Sequence, residues 1–150
     1  MGAVRAAVAF GILAVWPLVG LAQRPKELAD SDLVVAGLPF HADTAAVRAH
    51  LGEPTSRKEA RWTYRGLVIY FDQQGRLHQA HLTSPRYATA RGLRVGEPVD
   101  RVTPLYGATC YEHSFTFCRR ITSDFDERGI IVEVHRGHVT RIVIGAVFET

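Results

Sequence analysis

Only two cysteines occur in this 150-residue chain, and neither directly follows the apolar run near its start. A lipid therefore has no attachment point there, which excludes anchoring in the manner of a bacterial lipoprotein. Blocks of one charge are also missing: 18 Lys and Arg stand against 15 Asp and Glu, spread evenly, with Arg119-Arg120 the one notable basic pair. That pair reads as a solvated strand edge. Nucleic-acid binding needs Lys and Arg clustered on one face, so no nucleic-acid partner is expected. The chain contains no GxSxG elbow, no HExxH, no phosphate-cradling loop and no dinucleotide fingerprint. The expectation is a non-enzyme without catalytic residues or cofactor, with a hydrolase as the distant alternative. The carboxylate-rich "DFDE", residues 124 to 127, lacks the glycine and later ligands of a calcium loop and reads as a polar strand.

What is present begins with "MGAVRAAVAFGILAVWPLVGLAQRP". One early charge at Arg5, an uncharged run from Ala6 to Leu21 and then small residues are the order of a secretory signal peptide, residues 1 to 22, cleaved after Ala22. An uncleaved anchor is the alternative, since the run falls just short of the ~17 to 25 residues that span a bilayer. Pro17 and the Gly20-Leu21-Ala22 exit favour cleavage, after which no stable membrane insertion is expected. Cleavage leaves 128 residues, with 17 basic against 15 acidic, enough for one domain with a real core. Residues 23 to 32 read as a flexible N-terminal segment and 33 to 150 as the domain. The expected compartment is the periplasm or the exterior.

Cys110 and Cys118 lie eight positions apart. In an oxidising compartment this even pair reads as a disulfide. Closing so short a loop contributes roughly 2.5 kcal/mol by the chain-entropy argument. The intervening "YEHSFTF" alternates aromatic and polar residues as a strand or hairpin does.

"GLPFHADTAAVRAHLG", residues 37 to 52, and "GLRVGEPVDRVTPLYG", residues 92 to 107, have the same shape at an offset of 55. Gly37, Leu38, Phe40, Val47, Leu51 and Gly52 fall on Gly92, Leu93, Val95, Val102, Tyr106 and Gly107. Each segment reads as an apolar entry, a turn and a compact helix ended by glycine, because Val47 and Leu51, like Val102 and Tyr106, share a helical face. Asp43 suits a cap for the first helix and Pro98 the first turn of the second, while Pro104 predicts a kink or a 3₁₀ stretch. After the helices, "YRGLVIYFDQQGRLHQAHL" matches "ERGIIVEVHRGHVTRIVI" at an offset of 63, both reading as strand, Arg-Gly turn, strand, glycine turn, strand. The growth in offset places the extra residues of the second copy in the cysteine-bearing stretch.

A unit of one helix and three strands buries its apolar face poorly alone. The expected fold is therefore α+β: two tandem helix-plus-three-strand repeats, 33 to 84 and 88 to 145, forming one antiparallel sheet with short helices on one face. Two-residue Arg-Gly loops would pair Trp62 with Ile69 and Phe125 with Val132. Leu67, Ile69 and Phe71 with Ile130, Val132 and Val134 would line the helix side. Thr63, Val68 and Tyr70 with Asp126, Ile131 and Glu133 would carry the other. The faces of the last strands, such as "RIVIG", stay open, since a one-residue slip exchanges them.

These tandem units of glycine, apolar pair, short helix ending in "LG" or "YG" and β-hairpin sheet resemble the small secreted α+β proteins typified by the β-lactamase inhibitor protein. They also resemble the SmpA and OmlA outer-membrane assembly lipoproteins, which contain one such unit. The resemblance covers roughly residues 33 to 145 and is carried most by "GLRVGEPVDRVTPLYG". It implies a protein-binding role on an exposed sheet face or its neighbouring loops, with an envelope or secreted protein as partner. The missing cysteine after the signal separates this chain from the lipoprotein branch.

Seven histidines raise a small-ligand or metal-binding alternative. His78 and His81 sit three apart on an expected strand and so point to opposite faces. His135 and His138 bracket the Arg136-Gly137 turn as a candidate cross-strand pair. A zinc or copper site needs three or four ligands and no third is specified, so no metal site is expected.

Overall fold

The computed structural model describes residues 27–110, 115–118 and 128–146. The signal segment, Arg119-Arg120, the "DFDE" stretch and the site candidate Asp126 lie outside the described residues. The fold is α+β. Among the described residues seven strands form a single antiparallel sheet: β1 (Ser56–Lys58), β2 (Arg61–Tyr64), β3 (Leu67–Phe71), β4 (Leu77–Leu82), β5 (Phe115–Cys118), β6 (Arg128–His135) and β7 (His138–Ala146). Their spatial order is β1-β2-β3-β4-β7-β6-β5, so the last strand of each half of the chain meets the other at the centre.

Two short helices pack on one face. In α1 (Thr44–Leu51) the Asp43 carboxylate accepts a 2.7 Å hydrogen bond from the Ala46 N–H, satisfying one of the orphan donors of the first turn. Gly52 ends the helix at φ +81°, a conformation that glycine adopts without strain. A 3₁₀ turn (Val99–Arg101) leads into α2 (Val102–Tyr106), only five residues long. This is the 3₁₀ stretch Pro104 predicts, whereas Pro98 stands just before the turn, at φ −65° and ψ 148°. Val47, Val102 and Tyr106 are buried, and Tyr106 stacks on Phe117 with ring centroids 4.9 Å apart.

Facing pairs define two apolar rows beneath the helices. One runs Trp62, Ile69, Ala80, Ile144, Ile130, Phe117, and the next runs Tyr64, Leu67, Leu82, Ile142, Val132, Phe115. Each joins six strands into one core, and a fully buried Leu or Ile in it contributes about 1.5–3 kcal/mol. The Trp62–Ile69 pair and the helix-side placement of Leu67, Ile69, Phe71, Ile130 and Val132 agree with the alternation in sequence. Val134 is half-buried beside a register shift in β6.

Three features differ from the sequence expectation. Arg128 and Gly129 form no hairpin turn; they lie within β6, facing Ala146 and Gly145. The partner of Val132 is Phe115 and not Phe125, because the cysteine-bearing stretch supplies the edge strand, burying Phe117 in the core. The first half adds a short outer strand, β1, so the halves carry four and three described strands. Residues 27–32, assigned above to the N-terminal segment, also contribute to packing: Leu28 is 2% exposed and belongs to the core cluster.

Candidate partner-binding face

The strand alternation that sends two rows under the helices turns the intervening residues to the opposite face. One row there reads Thr63, Val68, His81, Val143, Ile131, Thr116, and the next reads Arg61, Tyr70, Gln79, Gly145, Gly129, Cys118. Glu133 of β6 faces Arg141 of β7 beside them, and their side chains form an ion pair. Five of the six candidate residues are thus brought to one face: Thr63, Val68, Tyr70, Ile131 and Glu133, all half-buried. The sixth, Asp126, is not described. Exposure is graded along the first row, since Val143 is 5% and Thr116 3% exposed while the β2, β3 and β4 members remain half-exposed.

Sequence reading missed His81, Gln79, Arg61, Arg141 and Val143 as members of this face. Period-two spacing in β4 would have placed Gln79 and His81 together, but the position of the bulge between the Tyr70 and Phe71 pairings was not legible. The open choice for β7 is settled by packing: Ile142 and Ile144 enter the core, leaving Arg141 and Val143 on the opposite side.

His81 stands at the centre. Its ring lies 4.9 Å from the Tyr70 ring, and Nε2 is 3.0 Å from Gln79 Oε1; the Gln79 amide in turn donates to the Ala146 carbonyl. Burial pushes the His81 imidazole below the usual histidine range, and the Arg141 and Arg61 charges push it further, against the opposing Glu133. The ring is therefore neutral near pH 7. Arg61 lies over the Tyr70 ring at 6.0 Å, and the Arg141 Nε is buried without a hydrogen-bond partner. The surface offers aromatic area, aliphatic area and directional polar groups.

A cavity of about 360 Å³ lies elsewhere, lined by Phe71, Asp72, Gln73, Gln74 and His78. The Asp72 carboxylate is committed to the turn there, accepting from the Gln74 and Arg76 backbone N–H groups at 2.9 and 2.8 Å and from Arg76 Nε at 3.1 Å. Nearby, His41 holds φ +69°, and burial, then Arg128, depresses its imidazole. His135 and His138 face one another across the Arg136-Gly137 turn, both exposed. Among the described residues no group of three His, Cys, Asp or Glu side chains is placed to hold a metal ion.

Cys110 and Cys118 form a disulfide with Cα atoms 6.1 Å apart. It ties β5 to the end of the loop after α2, where the Cys110 N–H donates to the Thr116 carbonyl at 2.8 Å. The staple thus secures the edge strand whose Thr116 and Cys118 complete the two rows.

No protein-family model matches this chain, and no curated protein matches it. A solved structure, an extracellular protein containing a SCP domain from Bacillus anthracis str. Ames, is similar at a TM-score of 0.49 and 10% identity. The match covers 71% of this chain and 44% of the other, so the present chain spans less than half of that protein.

Proposed function

We propose that this chain is an exported, non-enzymatic module that binds another envelope or secreted protein through the sheet face opposite its helices. One observation carries the reading: a seven-stranded sheet covered by helices on one side presents Thr63, Val68, Tyr70, Ile131 and Glu133 on the other. A face mixing an aromatic ring, β-branched residues and paired charges suits a protein partner, because aromatic side chains supply area and the charges set register. Export to the periplasm or the exterior is supported by the apolar opening segment and by the disulfide, a bond that persists in oxidising compartments. Among the described residues, no helix is long and apolar enough to cross a membrane.

Descent from a duplicated unit belongs to the same proposal. It is supported by α1 and α2, each closed by a glycine at positive φ, Gly52 at +81° and Gly107 at +76°, and each preceding one flank of the sheet. Likeness to the β-lactamase inhibitor protein and the SmpA and OmlA lipoproteins stays within this proposal as well.

The test is affinity capture from the native envelope by the parent chain and by a Val68→Asp, Tyr70→Ser double variant. Both residues are half-exposed, so the variant should keep its fold by circular dichroism while releasing the captured protein. Retention of the same partners by the folded variant would refute the use of this face.

A further inference from the structure

A protein-binding face leaves the chemistry of its partner open, but among the described residues the charges on this one are unequal. Glu133 is already engaged by Arg141. Lys58 and Arg61 face each other at the β1–β2 margin, and among the described residues neither forms an ion pair. Arg61 extends over the Tyr70 ring, so the guanidinium borders the aromatic surface instead of an acidic neighbour. The Arg141 guanidinium, by contrast, is held by Glu133, and its Nε is buried. Resting on the reading that this face binds a protein, we infer that its partner presents an acidic surface, with carboxylates seated against Lys58 and Arg61 beside the Tyr70–His81 ring pair.

Charge complementarity selects this occupant. Among the described residues, a basic surface would meet Lys58 and Arg61, while Glu133 is already paired with Arg141, and like charges held together across an interface oppose association. A wholly apolar surface would strip water from these cations with nothing to replace it. The acidic partner also couples to His81. The titratable and charged groups facing this imidazole are Tyr70 from β3, Arg61 from β2, Glu133 from β6 and Arg141 from β7. An added carboxylate opposes the cationic groups among them and favours the imidazolium, so binding takes up a proton and strengthens as pH falls below the usual histidine range.

The experiment titrates the isotopically labelled full chain with two short synthetic peptides while backbone amide shifts are followed. One peptide alternates Asp or Glu with Tyr, and the other carries Lys at every acidic position. The acidic peptide should shift amides of β2, β3, β4 and β7 around Arg61, Tyr70, His81 and Arg141, and the basic one should not. Its affinity should fall about tenfold in Arg61→Glu and again when salt rises from about 50 to about 500 mM. Affinity at about pH 6 should exceed that at about pH 7.5 in the parent but not in His81→Gln. Equal binding of both peptides, no binding of the acidic one, or indifference to Arg61→Glu and salt would overturn the inference. If the Val68→Asp, Tyr70→Ser variant still loses its envelope partner under those outcomes, the binding face stands and only its acidic preference fails. If that variant keeps its partner, the face itself is wrong.

Discussion

Replacing Arg91 by Met should loosen the N-terminal segment from the sheet domain, and the size of the loss can be worked from its contacts. Arg91 donates from Nε and Nη2 to the two Asp32 oxygens, both at 2.8 Å, from Nη1 to the Leu105 carbonyl at 2.9 Å, and from Nη2 to the Glu27 carbonyl at 3.3 Å. One side chain thereby joins the first described residues to the end of α2. Breaking a fully buried ion pair costs about 3–5 kcal/mol, because the remaining charge is left unpaired. Here the Arg91 and Asp32 side chains are 23% and 10% exposed, so water relieves part of that loss and about 2–3 kcal/mol is expected. In urea this lowers the unfolding midpoint by about 1–2 M.

The pH dependence gives the prediction its sign. The hydrogen bonds from Arg91 hold the Asp32 carboxyl below the usual 3.8, outweighing its burial. A depressed carboxyl stabilises the fold above its unfolded value, and that contribution is lost as pH falls through the folded value. The parent and variant curves should therefore be well separated near pH 7 and converge toward about pH 2. An Asp32→Asn, Arg91→Met double variant should lose less than the two single losses added together. A single variant within about 0.5 kcal/mol of the parent at neutral pH, or a gap that does not change with pH, would refute the reasoning.

Two further outcomes test other parts of the structure. Gly145 has φ +122°, and a Cβ there would come 2.3 Å from the His78 carbonyl oxygen and 2.9 Å from Gln79 Cα, so Gly145→Ala should force β4 and β7 apart. A loss of about 2–4 kcal/mol should appear as a melting point lower by roughly 10 °C, and an unchanged melting point would show that the two strands can part freely. His81, depressed mainly by burial and then by Arg141, should titrate by NMR with a midpoint below 6.5. Its contribution to stability is present above 6.5 and lost as pH falls through the folded value; a midpoint at or above 6.5 would mean that the ring is solvated.

The alternation in "LVIYF" and "GIIVEV" suffices to separate helix-side from opposite-side residues on β3 and through the first part of β6, since side-chain direction reverses at every residue. Helix ends were legible for similar reasons: Asp43 supplies an acceptor at one end of α1, and Gly52 and Gly107 supply the positive φ that ends each helix. Strand pairing was harder. "ERG" followed by an apolar run has the local signature of a hairpin turn, yet Arg128 and Gly129 lie in a strand, and Phe115 and Phe117 from the cysteine stretch pair with β6 at Val132 and Ile130. Local propensity could not weigh that competing partner.

The candidate face shows the same division. Thr63, Val68, Tyr70, Ile131 and Glu133 follow from period-two spacing within single strands, but their union with His81, Gln79 and Arg141 depends on β4 lying beside β7. For "RIVIG" both registers bury apolar residues, so the faces of β7 were undetermined until the core accepted Ile142 and Ile144. The Asp32–Arg91 pair spans 59 positions and left no local signal at all. The sequence by itself determined the class of fold, the helix caps and the inward side of several strands, because those depend on neighbours a few residues apart. Only the tertiary structure decided which strands meet, and hence which charges and rings share a surface, because that choice is made by packing between segments far apart along the chain.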